Sequence, residues 1–166
     1  TLIKPSMRAE FEYKGRSRRP PKDAVNALIS FIYALLLSDC RSALETVGLD
    51  PQLGFFHVVR PGRPALALDL MEEFRAVLGD RLALTLINRG QLQNKDFEFR
   101  TGGAVYLNDT GRKTVVVAYQ ERKKETMQHP VLETQVEIGL LPLLQARLLA
   151  RYLRGDVPHY IPFFNK

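Results

Sequence analysis

Three side chains able to bind a metal ion lie close together in the middle of the chain. Asp69 and Glu72 are three residues apart in a segment whose apolar spacing predicts a helix, so both carboxylates stand on one helix face. His57 precedes them, and the loop at 60–64 (RPGRP) allows its ring to approach the same point. An imidazole beside carboxylate oxygens suits Mn²⁺, and suits Mg²⁺ less well because Mg²⁺ prefers oxygen ligands. The spacing therefore indicates a candidate site for one divalent metal ion.

The same residues also have an ordinary structural interpretation. Two carboxylates three residues apart on a helix most often form a solvated face, and a histidine that follows two phenylalanines is most often a half-buried core residue. Glu73 and Arg75, beside the cluster, can equally be surface charges. On spacing alone, both the metal site and the solvated face stay open.

Composition limits the class of protein. The chain has 166 residues, 45% of them hydrophobic, which is enough for one domain with a core. Its net charge of +6 favours polyanionic partners, chiefly nucleic acid or anionic lipid. The single cysteine, Cys40, excludes an internal disulfide and a cysteine-based zinc site, and we interpret it as a core or helix-surface residue. The apolar run 24–37 is shorter than the roughly 20 residues that cross a bilayer, so it predicts a buried helix.

The elements that must position the candidate residues are predicted to be mainly helical. Apolar periodicity and stop signals predict helices over 24–47, 65–79, 80–88, 110–128 and 137–154. Asp23 and Thr110 are candidate N-terminal caps, and Pro142 is a candidate kink. FEFR and AVYL around TGG predict one small β-hairpin between 97 and 107. We therefore predict a mainly α protein in which 1–166 form a single helical domain with one hairpin.

Cations outside the cluster could contact phosphate. The basic opening (Lys14, Arg16, Arg18, Arg19 and Lys22) has the charge density of a phosphate-binding strip, but a solvated tail is an equal alternative. Arg147, Arg151 and Arg154 share one face of the last helix, and we interpret them as a solvated face. His129 and His159 each stand beside a proline, which predicts loop positions.

Longer stretches of the sequence carry a family resemblance. The double proline with Lys22-Asp23, the block Asn26-Ala27-Leu28, GFFH at 54–57 and DLMEEFR at 69–75 occur in characteristic order and spacing, and the similarity runs from about Tyr13 through GRKTVVVAYQERK to HPVLETQVEIGLLPLLQARLLARYLRGD. These blocks resemble the CRISPR-associated integrases of spacer acquisition, the Cas1 family. The chain looks closest to the versions found with subtype I-C systems.

The resemblance implies a helical catalytic domain that binds one divalent metal, Mn²⁺ or Mg²⁺. Of the family's metal ligands, the histidine matches His57 and the second acid matches Glu72, while Asp69 matches an acid that supports activity. Arg63 and Arg75 match positions that contact the DNA backbone. Tyr33 matches a tyrosine near the site, without a clear role.

The resemblance also implies an activity and partners. A DNA 3′-hydroxyl would attack a phosphodiester of the repeat array, and the same site would act as a nuclease on branched DNA. The expected partners are DNA, a second copy of the chain in a homodimer and the second adaptation protein, Cas2. The expected location is the cytoplasm of a prokaryote, without a membrane partner.

One family feature is missing from this sequence. The family's first glutamate ligand lies in a Gly-x-Glu-Gly segment upstream of the double proline, and Glu10, Glu12 and Glu45 do not lie in such a segment. We therefore expect the C-terminal catalytic part of a longer protein, without its N-terminal β-domain and inactive by itself. The alternatives are an incomplete helical fragment that binds DNA or partner chains, and a basic helical scaffold without a nucleic-acid role.

Overall fold

The computed structural model describes residues 3–7, 10–13, 15–17, 19–58 and 60–164. The chain divides into two compact units. Unit 1 consists of Thr1–Ala34 and Gly79–Glu121, and unit 2 of Leu35–Leu78 and Arg122–Lys166. The sequence-based assignment of 1–166 to one domain stays a prediction.

Helix α1, Ala24–Thr46, begins in unit 1 and ends in unit 2. Asp23 caps it as predicted, since its Oδ1 accepts the amide of Asn26 at 2.7 Å. Gly48, with φ +79°, follows its end. The helix is long and apolar enough to cross a membrane by length and composition, as core helices also are. One stripe is fully buried, which confirms the prediction of a buried helix: Leu28, Ile32, Leu36, Cys40 and Leu44.

Unit 1 contains the predicted hairpin. Strands β1 (Phe97–Phe99) and β2 (Val105–Leu107) pair antiparallel, with Phe97 opposite Leu107. The ring of Phe97 packs edge-on against Phe11 at 6.0 Å. The unit also contains a 3₁₀ turn at Pro5–Met7, helix α3 at Arg81–Asn88, a second 3₁₀ turn at Asn94–Asp96 and most of helix α4 at Asp109–Lys124.

Helix α4, Asp109–Lys124, differs from its prediction at both ends. Its N-terminal cap is Asn108, whose Oδ1 accepts the amide of Gly111 at 2.9 Å, and the proposed cap Thr110 lies inside the helix. The helix ends four residues earlier than predicted because residues 126–128 pair with 135–137 as strands.

Unit 2 contains this second hairpin, so the prediction of a single hairpin was wrong. Strands β3 (Thr126–Gln128) and β4 (Gln135–Glu137) are followed by a 3₁₀ turn at Ile138–Leu140 and helix α5 at Leu141–Leu153. Pro142 lies in the first turn of α5, where a missing amide costs little, so it starts the helix and does not kink it. The mainly α fold class is confirmed.

The predicted helix 65–79 is broken in the structure. Helix α2 spans Ala65–Glu72, and the amides of Glu73 and Phe74 then bond three residues back, to Leu70 and Met71, before a π-helical turn over Arg75–Asp80. The apolar residues whose spacing predicted this helix are nevertheless all buried: Ala67, Leu70, Met71, Phe74, Val77 and Leu78. Helix α2 packs against α5 within unit 2.

Candidate functional site

The Asp69 carboxylate is surrounded by donors from one loop. Its Oδ2 accepts the amides of Phe55 at 2.7 Å and Phe56 at 3.0 Å, and its Oδ1 accepts the amide of His57 at 3.0 Å. Burial raises the pKa of Asp69, but the bonds from Phe56, His57 and Phe55 outweigh it and hold the pKa below its usual range. The ionised carboxylate therefore organises the whole 55–57 loop.

Two local features bring this loop onto helix α2. The carbonyl of Pro51 accepts the amides of Leu66 at 2.8 Å and Ala67 at 3.2 Å, which satisfies donors in the first turn of α2. Gly54 lies so close that a Cβ there would be 2.7 Å from the carbonyl carbon of Ala65 and 2.8 Å from Asp69 Oδ2. The absence of a side chain at position 54 thus allows the amides to reach the carboxylate.

His57 is oriented by the same carboxylate. Its Nδ1 lies 2.5 Å from Asp69 Oδ1, and because an ionised carboxylate only accepts, Nδ1 carries the proton. In the neutral ring, the lone pair is then on Nε2. A carboxylate on one ring nitrogen is the arrangement that orients metal-binding histidines. The His57 side chain is 27% exposed, so the ring is accessible from solvent.

Glu72 is separate from this pair. Its side chain is 46% exposed, and its Oε2 accepts a hydrogen bond from Arg75 at 2.6 Å. Amides and the imidazole occupy both oxygens of Asp69, so this carboxylate is directed at the loop, although it shares a helix face with Glu72. Of the carboxylates of Asp69 and Glu72, that of Glu72 is the one exposed to solvent.

The two predicted DNA-contacting arginines have different surroundings. Arg75 pairs with Glu72, so any phosphate there would meet both groups. Arg63 ends a turn in which its amide donates to the carbonyl of Arg60 at 3.0 Å, and Gly62 supplies the φ of +72° that this turn requires. Arg63 is half-buried in the loop that leads into α2.

A cavity of about 780 Å³ opens beside His57, Asp69 and Glu72. Its acidic and imidazole lining comes from His57, Asp69, Glu72, Glu73 and His159. The cavity also has an aromatic lining that was not predicted from the sequence: Phe55, Phe56, Tyr152, Tyr160 and Phe164. Phe55 is 62% and Phe56 91% exposed, so flat apolar rings stand next to the imidazole. The volume is in the range of pockets that hold small ligands or parts of larger ones.

Glu73 is not the surface charge that its position beside the cluster indicated. Its Oε1 accepts the hydroxyl of Tyr160 at 2.6 Å, and its Oε2 accepts the amide of Phe163 at 2.6 Å and Gln145 Nε2 at 2.9 Å. Burial raises its pKa, and these three bonds oppose the change. A signal was present, because Leu66, Leu70, Glu73 and Val77 follow the spacing of a core stripe.

His129 lies in the β3–β4 turn, as predicted for a loop histidine, but it is fully buried. Its Nδ1 accepts the amides of Val131 and Leu132, both at 3.2 Å, and its ring packs edge-on against Phe163 at 5.6 Å. Burial lowers the pKa of His129, and the neighbouring Gln145 side chain opposes that change. The neutral ring, protonated on Nε2, therefore fits this position.

The burial of His129 predicts a pH dependence of stability. Its folded-state pKa lies below the unfolded value near 6.5, so stability is full above that value and falls as pH decreases through the folded pKa. In His129→Asn the amide oxygen replaces Nδ1 as an acceptor and nothing titrates. We expect the free energy of unfolding of wild type relative to His129→Asn to fall between pH 7 and 5, by at most about 1.4 kcal/mol per pH unit.

Denaturant unfolding at several pH values measures this difference. The matched control is His159→Asn, since His159 is an exposed residue of the cavity lining. Equal pH profiles for wild type and His129→Asn would show that His129 titrates alike in the folded and unfolded chain.

The basic opening is only partly free for phosphate. Arg16 donates to Asn26 Oδ1 at 2.8 Å and to Ser30 Oγ at 3.2 Å, and its guanidinium lies 5.6 Å from the ring centre of Tyr33. Tyr33 in turn donates to Asp80 Oδ1 at 2.6 Å, all within unit 1. Arg16 therefore has a structural role. Arg19 and Lys22 are exposed, and Lys14 and Arg18 lie outside the described residues.

Two ordinary interpretations are confirmed. Arg147, Arg151 and Arg154 are all exposed on or just after α5, and Arg154 pairs with Asp156 at 2.8 Å. Cys40 is completely buried. Burial also raises the pKa of its thiol, so it is an inert core residue.

The donor set fits a divalent metal in part. His57 offers an oriented Nε2 and Glu72 an exposed carboxylate, and both line the same cavity. Within the described residues, no group of three or more His, Cys, Asp or Glu side chains is close enough to hold a metal ion. Among the described residues, His57 and Glu72 are therefore two candidate ligands, with no third such side chain grouped beside them.

Comparisons with known sequences show similarity over nearly the whole chain. The model of a family described as "CRISPR associated protein Cas1" matches residues 1–121. A "CRISPR-associated endonuclease Cas1 1" of Moorella thermoacetica is 63% identical over 159 residues, which are 96% of this chain and 46% of that protein. A "CRISPR-associated endonuclease Cas1 2" of Rhodospirillum rubrum is 62% identical over 95% of this chain and 46% of its own length. The chain spans about half the length of these curated relatives.

Solved structures show the same fold. A CAS1 protein from Thermotoga maritima is 33% identical with a TM-score of 0.81, over 93% of this chain and 46% of that one. A chain of a "Cas6-RT-Cas1--Cas2 complex" is 25% identical with a TM-score of 0.80, over 99% of this chain and 17% of that one. A "Casposase bound to integration product" has a TM-score of 0.85 over 99% of this chain and 49% of its own, at 24% identity, which shows the fold alone.

Proposed function

Because this chain belongs to the Cas1 family of CRISPR-associated proteins, we propose that it is the catalytic part of a DNA endonuclease and integrase of CRISPR adaptation. In this proposal, a DNA 3′-hydroxyl attacks a backbone phosphodiester of the repeat array. The new ester bond joins spacer DNA to the repeat, and the bond from that phosphorus to its original 3′ oxygen breaks, which releases another 3′-hydroxyl. The relatives are named as endonucleases, which supports nucleic-acid cleavage. The arrangement of His57 and Glu72 in one cavity supports phosphoryl transfer.

The observation that carries the proposal is an oriented histidine that lines the same cavity as an exposed carboxylate. Asp69 holds His57 Nδ1 at 2.5 Å while three loop amides hold Asp69. His57 and Glu72 would be the protein ligands of one Mn²⁺ or Mg²⁺, and Asp69 would orient His57. When bound, such an ion supplies Lewis-acid polarisation of a phosphoryl oxygen and orientation of the attacking oxygen. The protein's own part is to present both ligands at one wall of the cavity.

Arg63 and Arg75 would contact the DNA backbone, a role that positions DNA without reading its sequence. We expect Arg63→Ala and Arg75→Ala each to weaken binding of unrelated duplexes about equally. Each should also lower the magnitude of the slope of log affinity against log salt by roughly 0.9, the value for one lost phosphate contact. A salt series with two unrelated duplexes measures this slope.

The matched control is Arg147→Ala, which removes an exposed charge from α5 and should leave the slope unchanged. If the slope changes for Arg147→Ala and not for Arg63→Ala or Arg75→Ala, the DNA path lies along α5 instead.

The proposal extends to partners and context. The similarity to a chain of a Cas6-RT-Cas1--Cas2 complex supports Cas2 as a partner, and the homodimer is proposed from the family resemblance. We further propose a subtype I-C-like system, the C-terminal position of this segment in a longer chain and the prokaryotic cytoplasm as its location.

One observation favours a second candidate function. The described residues contain no cluster of three metal-binding side chains, so the chain by itself could act as a helical module that only binds DNA or partner chains. In that case it would bind DNA in a salt-dependent way without cleaving it.

A graft separates the two candidates. In the graft, the 166 residues replace the matching segment of the Moorella thermoacetica relative, to which they are 63% identical. The expected result is cleavage of branched DNA and joining of 3′-hydroxyl ends in the presence of Mn²⁺, both lost when a chelator removes the ion. A folded graft that binds DNA but neither cleaves nor joins it would contradict the proposed enzyme function and leave the binding module.

A further inference from the structure

Residues 157–164, here called the strap, follow α5 without regular secondary structure. Glu73 holds the strap at two points. Its Oε1 accepts the Tyr160 hydroxyl at 2.6 Å, and its Oε2 accepts the backbone amide of Phe163 at 2.6 Å. Because the strap forms no helix or strand, these side-chain bonds replace the backbone ladder that would otherwise fix it.

Gln145 on α5 strengthens the same attachment. Its Nε2 donates to Glu73 Oε2 at 2.9 Å, to the Tyr160 hydroxyl at 3.0 Å and to the Ile161 carbonyl at 3.2 Å. Phe163 is 1% exposed and packs on Phe74 at 5.4 Å between ring centres. The strap is therefore attached by one buried polar network and one buried ring.

The strap forms part of the cavity beside the candidate ligands. His159, Tyr160, Pro162 and Phe164 line that cavity together with His57 and Glu72. Glu73 directly follows Glu72, so the residue that holds the strap is covalently linked to a candidate ligand. A displacement of the strap would change the part of the cavity wall that the strap forms, and a displacement of Glu73 would move the end of α2.

The choice of a carboxylate at position 73 matches this role. Three neutral donors converge on it, from Tyr160, Phe163 and Gln145. An apolar residue would leave these buried donors without acceptors, and glutamine would turn an N–H group toward at least one of them. Only a side chain whose two terminal atoms both accept hydrogen bonds, as a carboxylate does, satisfies all three donors.

We propose that Glu73 is a positioning residue of this site, which holds the strap as the fixed wall of the cavity that receives the reacting DNA beside Glu72. The inference rests on the proposed function of the site for its catalytic consequence. The attachment of the strap by Glu73 can be measured without any reaction.

The first measurement is hydrogen exchange of the graft with and without Glu73→Gln, an isosteric change. We expect the amides of the strap to exchange at least roughly 10-fold faster in the variant, while the amides of α5 keep their protection. Glu45→Gln is the matched control, because Glu45 is an exposed carboxylate of unit 2 that pairs with Arg41. Unchanged strap exchange in Glu73→Gln would overturn the proposal.

The second measurement separates positioning from stability. We expect Glu73→Gln to lower the turnover of DNA cleavage roughly 10-fold, because a displaced wall misplaces the reacting DNA, with DNA affinity unchanged. Leu44→Ala removes a fully buried side chain of unit 2 that does not line the cavity. Assays run well below both melting temperatures should show normal turnover for Leu44→Ala, although it also lowers the melting temperature.

The outcomes are distinct. Equal losses of turnover in Glu73→Gln and Leu44→Ala would mean that Glu73 only stabilises unit 2, which would overturn the positioning role. If the unmodified graft neither cleaves nor joins DNA, the proposed function fails, and hydrogen exchange alone decides whether Glu73 holds the strap.

Discussion

Replacing His57 by alanine in the graft is expected to abolish DNA cleavage and joining while leaving the fold intact. The activity should fall by more than the roughly 10- to 100-fold typical of losing an outer partner of a metal ligand, because the ligand itself is lost. The fold should survive because Asp69 keeps the amides of Phe55, Phe56 and residue 57. Circular dichroism and an assay on branched DNA measure the two properties.

His159→Ala is the matched control for this prediction. His159 lines the same cavity from the strap and is exposed, so its loss removes an imidazole from the cavity without removing the one that Asp69 orients. Glu72→Ala should reproduce the effect of His57→Ala. Wild-type activity in a folded His57→Ala or Glu72→Ala graft would eliminate the two-ligand interpretation of this site.

Gly54→Ala is expected to be the most destabilising of the small substitutions near the site. The new Cβ would lie 2.7 Å from backbone and Cβ atoms of Ala65 and 2.8 Å from Asp69 Oδ2, so the 55–57 loop must move away from α2. Overpacking typically costs about 1–3 kcal/mol, and loosening a hydrogen bond to a charged group costs about 1.5–3 kcal/mol more. We expect a loss of about 3 kcal/mol, or a melting temperature lower by roughly 6–12 °C.

Thermal unfolding of the chain tests this value, with Gly48→Ala as the control. Gly48 has open space around it and φ +79°. Alanine there should therefore lower the free energy of unfolding only by the cost of the left-handed backbone conformation, about 1–2 kcal/mol. A Gly54→Ala variant as stable as wild type would show that the loop reaches Asp69 without needing the close approach.

The helices and the first hairpin could be predicted because their signals are local. The cap at Asp23, the stop at Gly48 and the turn TGG between two β-prone runs each depend on neighbours in sequence. The second hairpin could not be predicted in this way. Residues 126–128 continue an unbroken helical pattern, and only pairing with 135–137 makes them a strand.

The site was predictable only in part. Spacing allowed His57 to approach Asp69, and the two are in contact, but it could not show that loop amides saturate Asp69 or that Glu72 pairs with Arg75. Glu73 was misjudged because its partners at 145, 160 and 163 are distant in sequence. Arg16 was misjudged for a similar reason, since a cation in a basic run reveals nothing about a buried amide such as Asn26, which is 0% exposed.

The origin of the cavity walls has a consequence for how the chain folds during synthesis. One wall comes from residues 55–73, and Glu73 bonds the amide of Phe163, 90 residues later. Contacts of such separation form late because loop closure must precede them. A growing chain can form α1 and α2 early, but the pocket has no second wall until residues 157–164 have been made. The acidic end of α2 is thus exposed, without its partners, for most of the synthesis of the segment.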